Sequence, residues 1–90
     1  MQFEWDNKAQ INLTKHRVSF DEAKTVFDDP LFLVFTDPDH SIEEQRLIIM
    51  GESSQGRLLV VAYTERGEVT RLLSAREATR GERRAYEQDI

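Results

Sequence analysis

The stretch RLIIMGESSQGRLLVVAYTERGEVTRLLSARE, residues 46–77, decides the fold. It contains three strand candidates, Arg46–Glu52, Leu58–Glu65 and Val69–Ser74, each rich in branched aliphatic side chains. The segments SSQG and ERG between them carry the glycine and polar residues that are typical of hairpin turns. Because parallel strands need a crossover of about a dozen residues or more, connections this short favour an antiparallel meander.

The first part of the chain predicts a short strand and two helices. Polar and apolar side chains alternate over residues 2–5, which indicates a strand. Asp6 can cap a helix that runs through about His16. Ser19, with Glu22 three residues later, has the capping-box pattern that begins a second helix.

The remaining elements complete one small domain, residues 1–90. The run LFLVF, residues 31–35, indicates a buried strand, and the polar segment 36–44 indicates an exposed loop. A last helix begins at about Thr79. The order β-α-α-β-β-β-β-α predicts an α+β fold, a small antiparallel sheet with helices packed on one face.

Charge is distributed unevenly along an acidic chain of net charge −5. Residues 1–45 hold four Lys/Arg against ten Asp/Glu, whereas residues 46–90 hold eight Arg against seven Asp/Glu. Phosphate contacts drive non-specific binding of nucleic acids, so an acidic chain is a poor general polyanion binder. Any role with nucleic acid must therefore rest on a local cluster of Arg, whose forked donors suit phosphate.

Several classes of function lack support in the composition. The chain has no cysteine, which excludes disulfides, thiolate metal sites and a thiol nucleophile. Its two histidines, His16 and His40, lack a metal-binding spacing, so we expect no metal or cofactor. No signal peptide or membrane-spanning run is visible, and we therefore expect a cytoplasmic location.

The residues that could carry chemistry cluster around the last hairpin and helix: Arg57, Arg66, Arg71, Arg76, Arg80, Arg83 and Arg84. An Arg inside a strand is costly to bury alone, so Arg71 either pairs with a carboxylate or reaches a concave surface. Regular alternation would place Arg71 and Arg76 on opposite faces of the last strand, unless that strand ends near Ser74. Lys15 and His16, at a helix end, either interact with the helix dipole or belong to a site.

Two long segments, FEWDNKAQINLTKHRVSFDEAKTVFDDP and RLLVVAYTERGEVTRLLSAREATRGERRAYE, resemble the BrnT family of toxins. The resemblance lies in the order and spacing of F-E-W-D, K-H-x-V-S-F-x-E-A, T-E-R-G, R-x-x-S-A-R and E-R-x-x-Y-E, and covers nearly the whole chain. It implies a RelE-like fold and the toxin of a type II toxin–antitoxin module, which cleaves RNA without a metal and arrests growth. The implied partner is a BrnA-type antitoxin with a ribbon-helix-helix DNA-binding part. The resemblance implies that only the antitoxin contacts operator DNA and that no membrane is involved.

The polar residues that match the family motifs are Lys15, His16, Glu65, Arg66, Arg71, Ser74, Arg76, Arg83 and Tyr86, and all but Ser74 and Arg83 are our candidate site residues. We hypothesise that Arg71 and Arg76 hold the scissile phosphate and that Arg66 assists. His16, beside Lys15, is the first candidate for the acid or base, and Glu65 is the second candidate for the base. Tyr86 could donate a hydrogen bond.

One residue departs from the family pattern. Arg17 stands where the family commonly has glycine after the Lys-His pair, so either Arg17 adopts a left-handed cap at a cost of about 1 kcal/mol or the helix ends differently.

A second function remains open. The protein could be a catalytically silent binding module that acts as an antitoxin partner in operon repression, and the acidic net charge favours this alternative. A third function, a small-molecule enzyme, ranks last because the sequence contains no cofactor motif.

Overall fold

A computed structural model describes residues 1–37 and 45–88 of the chain. Its elements, in chain order, are β1 (Gln2–Glu4), α1 (Lys8–His16), α2 (Phe20–Ala23), the 3-10 helix Lys24–Asp28, β2 (Leu33–Thr36), β3 (Arg46–Glu52), β4 (Leu58–Arg66), β5 (Val69–Glu77) and α3 (Arg80–Gln88). This order confirms the predicted α+β class. Most of the predicted loop, together with His40, lies outside the described residues.

Five strands of the described residues form one sheet in the order β1-β5-β4-β3-β2. The meander β3-β4-β5 is antiparallel as predicted, and β2 pairs antiparallel with β3. The prediction of a wholly antiparallel sheet was wrong for β1, which pairs parallel with β5 through Gln2↔Val69 and Glu4↔Arg71. Short turns determine the direction of neighbouring strands only, and β1 and β5 are joined by almost the whole chain.

The two faces of the sheet are both covered. On the front face, Phe20, Ala23 and Val26 pack against Leu59 and Val61 of β4. On the back face, Tyr86 of α3 packs against Leu58 and Val60, the residues of β4 whose side chains point away from the front face. The prediction that all helices lie on one face was therefore wrong for α3. Every residue of β4 from Leu58 to Thr64 is buried, as expected for a central strand that is covered on both sides.

Two local signals of the first half match the structure, but the prediction of a buried strand at residues 31–35 was wrong, because β2 is an edge strand whose apolar side chains are largely exposed. The Ser19 side chain accepts a hydrogen bond of 3.0 Å from the Glu22 amide at the start of α2. Arg17 ends α1 in the left-handed conformation, with φ 59° and ψ 33°, and its amide bonds to the Leu13 carbonyl. The cap geometry expected for the family's glycine is thus adopted by Arg17. No helix in the described part of the chain is long and apolar enough to cross a membrane.

Candidate active site

A bulge in β5 decides how its two Arg residues are arranged. Arg71 pairs with Thr64 and Arg76 with Val60, and these two partners lie four residues apart in β4, on the back face. The register shifts between them, because Tyr63 pairs with Leu72 whereas Ala62 pairs with Ser74, which leaves Leu73 as an additional residue. Arg71 and Arg76 therefore share the back face, and the expectation of opposite faces was wrong.

Arg71 is bound to two carboxylates at the edge of the sheet. Its guanidinium lies 3.3 Å from Glu4 and 3.1 Å from Asp6. The amide of Lys8 and the charge of Arg71 hold the pKa of Asp6 below its usual value, more than burial raises it. The ion-pair alternative for Arg71 is thus realised, but both carboxylate side chains are more than two-fifths exposed.

Arg76 makes a two-pronged contact with the first turn of α3. Its two terminal nitrogens each donate to a different Glu82 oxygen at 2.8 Å. Glu82 also accepts from the Thr79 amide at 2.8 Å, and its own amide donates to the Thr79 hydroxyl, which completes the predicted capping box. The hydrogen bonds from Arg76, followed by those from Thr79, lower the pKa of Glu82 to about 2 against the opposing effect of burial.

The last turn of α1 lies beside the bulge. A shallow depression of about 310 Å³ is lined by Lys15 and His16 from the helix and by Leu73 and Ser74 from β5. The Asn12 side chain fixes this contact, since it accepts from the Ala75 amide at 3.0 Å and donates to the Val18 carbonyl at 2.8 Å. His16 is half-buried at this surface and is not part of the hydrophobic core.

The β4–β5 turn carries the next two predicted residues. Glu65 and Arg66 end β4 and are both exposed. Their register partners are Thr70 and Val69, so Arg66 shares the back face with Arg71, whereas Glu65 belongs to the front face. Gly67 supports the turn at φ +63°. The structure thus gathers the Arg residues on the back face but places Glu65 on the other.

Tyr86 serves a different contact. It is buried in the apolar cluster under α3, and its hydroxyl donates to Asp29 Oδ2 at 2.5 Å. Burial and this hydrogen bond raise the pKa of Tyr86 to about 12. The same Asp29 oxygen accepts from the Glu52 amide at 2.7 Å. Tyr86 therefore joins α3 to the turn after the 3-10 helix. The charged residues around Tyr86 in the sequence give no sign of this buried contact.

A buried ion pair was also missed by the sequence analysis. The Glu22 side chain is 3% exposed and accepts from Arg57 Nε at 3.0 Å and from the Ser53 hydroxyl at 2.7 Å. Arg57 additionally donates to the carbonyl of Arg17 at 3.1 Å. Glu22 was recognised only as a capping residue, because its partner lies 35 residues away. Among the described residues, no group of three or more acidic or histidine side chains could hold a metal ion.

Residues 5–82 match the model of a family described as the ribonuclease toxin BrnT of a type II toxin–antitoxin system. The chain belongs to the BrnT family. The match includes every predicted site residue except Tyr86, and it confirms the resemblance drawn from the sequence motifs.

A solved structure supports the same conclusion for the fold. The crystal structure of the Brucella abortus ribonuclease toxin BrnT is 24% identical, with a TM-score of 0.65, and the alignment covers 89% of this chain and 99% of that chain. We found no match among curated proteins. The family match thus shows the family, and the solved structure shows that the fold is shared.

Proposed function

We propose that this member of the BrnT family cleaves RNA without a metal and thereby arrests growth, as the toxin of a type II module. One observation carries the proposal: the bulge at Leu73 puts Arg71 and Arg76 on the same face. Ser74, between them in sequence, also lines the depression that holds His16. Neither Arg71 nor Arg76 lines that depression, so the proposal requires an RNA strand that reaches from the back face to His16.

The proposed reaction is an internal transfer at phosphorus. The ribose 2′-oxygen attacks the phosphorus atom, and its proton passes to a base on the protein. The bond from phosphorus to the 5′-oxygen breaks, and that oxygen takes up a proton. The products are a 2′,3′-cyclic phosphate and a 5′-hydroxyl, so no water, metal or oxidant is consumed in this step.

The site residues divide into two groups by role. Arg71 and Arg76, assisted by Arg66, would stabilise the charge that develops on the phosphoryl oxygens. His16 would transfer the proton, since imidazole serves as acid or base near neutral pH, and Lys15 would add positive charge beside it. Glu65 remains the second candidate for the base.

Tyr86 is left out of the proposed reaction because its hydroxyl is already committed to Asp29. The carboxylates that pair with Arg71 and Arg76 do not prevent these two residues from binding a phosphate. Exposed ion pairs contribute only about 0–1 kcal/mol, so a phosphate can replace them. Arg71 is paired with side chains of this exposed type, and the Arg76 side chain is itself 42% exposed.

We further propose that a BrnA-type antitoxin with a ribbon-helix-helix part neutralises the protein and alone contacts operator DNA. The edge of the sheet offers a surface for such a partner. Phe32, Val34 and Phe35, in and beside the edge strand β2, are each 44–47% exposed. Exposed apolar side chains on an edge strand invite pairing with another chain.

The deciding experiment is RNA cleavage by the isolated protein in EDTA. We expect cleavage to persist in EDTA and to fall at least 100-fold in the double variant His16→Ala, Arg71→Ala. Arg84→Ala, on the exposed surface of α3, is the matched control and should cleave like the wild type. Cleavage that stops in EDTA would refute the metal-free reaction, and an active double variant would refute the site.

A second function is favoured by the ion pairs themselves. Because Arg71 and Arg76 both contact carboxylates, the protein could instead be a silent antitoxin partner that acts in operon repression. Expression without the antitoxin separates the two functions. A ribonuclease should arrest growth, and the double variant should not; a silent partner would leave growth unchanged in both cases.

A further inference from the structure

Three back-face residues form a row across the sheet near its Arg-bearing end. Arg46 of β3 is the register partner of Thr64 in β4, and Thr64 is in turn the partner of Arg71 in β5. Neighbouring strands lie about 4.8 Å apart, so the backbones of the two Arg residues are separated by roughly 10 Å with Thr64 between them. This Arg46–Thr64–Arg71 row continues the surface that carries the proposed active site.

The hydroxyl of Thr64 is the unusual member of the row. Thr64 is 3% exposed, and no described residue offers its Oγ1 a hydrogen-bond partner. Buried polar groups in folded proteins are nearly always paired, since an unpaired one costs its full desolvation energy. Among the described residues, the Thr64 hydroxyl between these two guanidinium groups is therefore a donor that a bound ligand can use.

Arg46 has spare hydrogen-bonding capacity in the same place. Its buried Nε lies 3.6 Å from Asp37 Oδ2, which is too far for a hydrogen bond, and no described residue accepts from it. The Arg71 guanidinium is held by the exposed side chains of Glu4 and Asp6. Ion pairs of this exposed kind hold weakly, so the long Arg71 side chain can move to admit an anion.

We infer that the Arg46–Thr64–Arg71 row is a second phosphate-binding subsite for the RNA strand, adjoining the scissile phosphate at Arg71 and Arg76. The inference rests on the proposed ribonuclease function and names Arg46 and Thr64 as binding residues of its substrate. Thr64 Oγ1 and Arg46 Nε are buried, so the side chains of Arg71 and Asp37 must move before both atoms donate to one phosphate. Two guanidinium groups and a hydroxyl donor then bind an anion in exchange for the carboxylates of Glu4, Asp6 and Asp37, and a strand of RNA supplies anions in succession.

The test measures binding of a fluorescein-labelled 2′-O-methyl RNA, which lacks the attacking hydroxyl and cannot be cleaved. We expect Arg46→Gln to weaken binding about tenfold. It should also reduce the slope of log K against log salt by about 0.7, since one phosphate contact is lost. Arg46→Lys keeps the charge without the fork and should bind with intermediate affinity. The control Arg84→Gln, on the exposed side of α3, should stay within about twofold of the wild type.

Thr64→Val separates a binding role from a structural one. The substitution preserves the shape of the side chain and removes an unpaired buried hydroxyl, so the melting temperature should rise while RNA affinity falls about three- to tenfold. A structural hydroxyl would give a lower melting temperature and unchanged affinity. Either of those results, or wild-type affinity and salt slope in Arg46→Gln, would overturn the subsite.

These experiments also distinguish failure of the second subsite from failure of the proposed ribonuclease function. If the wild type cleaves and binds RNA but the Arg46 and Thr64 variants match it, only the second subsite is wrong. If the wild type neither binds nor cleaves RNA, the ribonuclease function fails, and the subsite fails with it.

Discussion

Arg71 and Arg76 occupy the same face of β5 although their positions in the sequence differ by five, an odd number. In a regular strand an odd separation places two side chains on opposite faces. Leu73 is an additional residue in β5, and the register shift that it causes restores the match. Bulges change the direction of side chains and are frequent beside active sites, and the proposed phosphate site depends on this one.

The pair between Arg76 and Glu82 predicts a pH dependence of stability. The pKa of Glu82 falls from 4.5 to about 2 on folding, so its contribution is present above pH 4.5 and is lost as the pH falls towards 2. Both side chains are about a third or more exposed, and screening reduces the contribution to about 1 kcal/mol. Melting curves of wild type and Glu82→Gln should therefore differ by several degrees at pH 7 and converge near pH 2. A constant difference across this range would contradict the pairing.

Tyr86→Phe should reduce stability and leave RNA cleavage unchanged. The variant keeps the ring in the apolar cluster and removes only the hydrogen bond to Asp29, which is worth about 1.5–3 kcal/mol because the acceptor is charged. Since folding raises the pKa of Tyr86 from 10.0 to about 12, the stabilisation is full below pH 10 and is lost as the pH approaches 12. Cleavage is measured at a temperature where both proteins are folded. A tenfold lower rate in Tyr86→Phe would return Tyr86 to the catalytic group.

Arg17→Gly should stabilise the protein. Arg17 adopts φ 59°, which costs a residue with a Cβ about 1–2 kcal/mol, whereas glycine adopts it freely. The greater entropy of glycine in the unfolded chain offsets part of this gain, so the net increase should be about 0.5–1 kcal/mol. Urea denaturation measures it directly, with Arg84→Gly as the control for a glycine placed inside a helix, which should destabilise. A loss of stability in Arg17→Gly would mean that the Arg17 side chain makes a larger contribution than the strain costs.

The buried pair of Glu22 and Arg57 should behave non-additively. Arg57→Met leaves the Glu22 carboxylate buried with the Ser53 hydroxyl as its remaining side-chain partner, at a cost of about 3–5 kcal/mol. The double variant Glu22→Gln, Arg57→Met carries no buried charge and should be more stable than Arg57→Met alone. A double-mutant cycle by urea denaturation gives the coupling energy. Strictly additive losses would show that the two side chains do not depend on one another.

The local features of the fold were predictable from the sequence because neighbouring residues determine them. The meander follows from apolar runs separated by glycine-containing turns, and the helix starts at Ser19 and Thr79 follow from capping boxes whose two members lie three residues apart. The left-handed cap at Arg17 was one of two expectations, and the structure adopts it. Family membership was also recognisable, since its motifs lie along the chain in a fixed order.

The arrangement of the site required the tertiary structure. The bulge at Leu73 depends on which residues of β4 pair with β5, and two consecutive leucines give no local sign of it. The buried carboxylate of Glu22 and the hydroxyl of Tyr86 have partners 35 and 57 residues away.

The sequence by itself determined the three strands of the meander, the helix starts at Ser19 and Thr79 and the family, because each depends on residues that are close together in the chain. The tertiary structure alone decided that α3 covers the back face, that β1 pairs parallel with β5, and that Arg46, Thr64 and Arg71 form one row. The physical reason is register: a shift of one residue between two strands moves a side chain to the other face of the sheet. That register is fixed by hydrogen bonds and packing between segments that are distant in sequence.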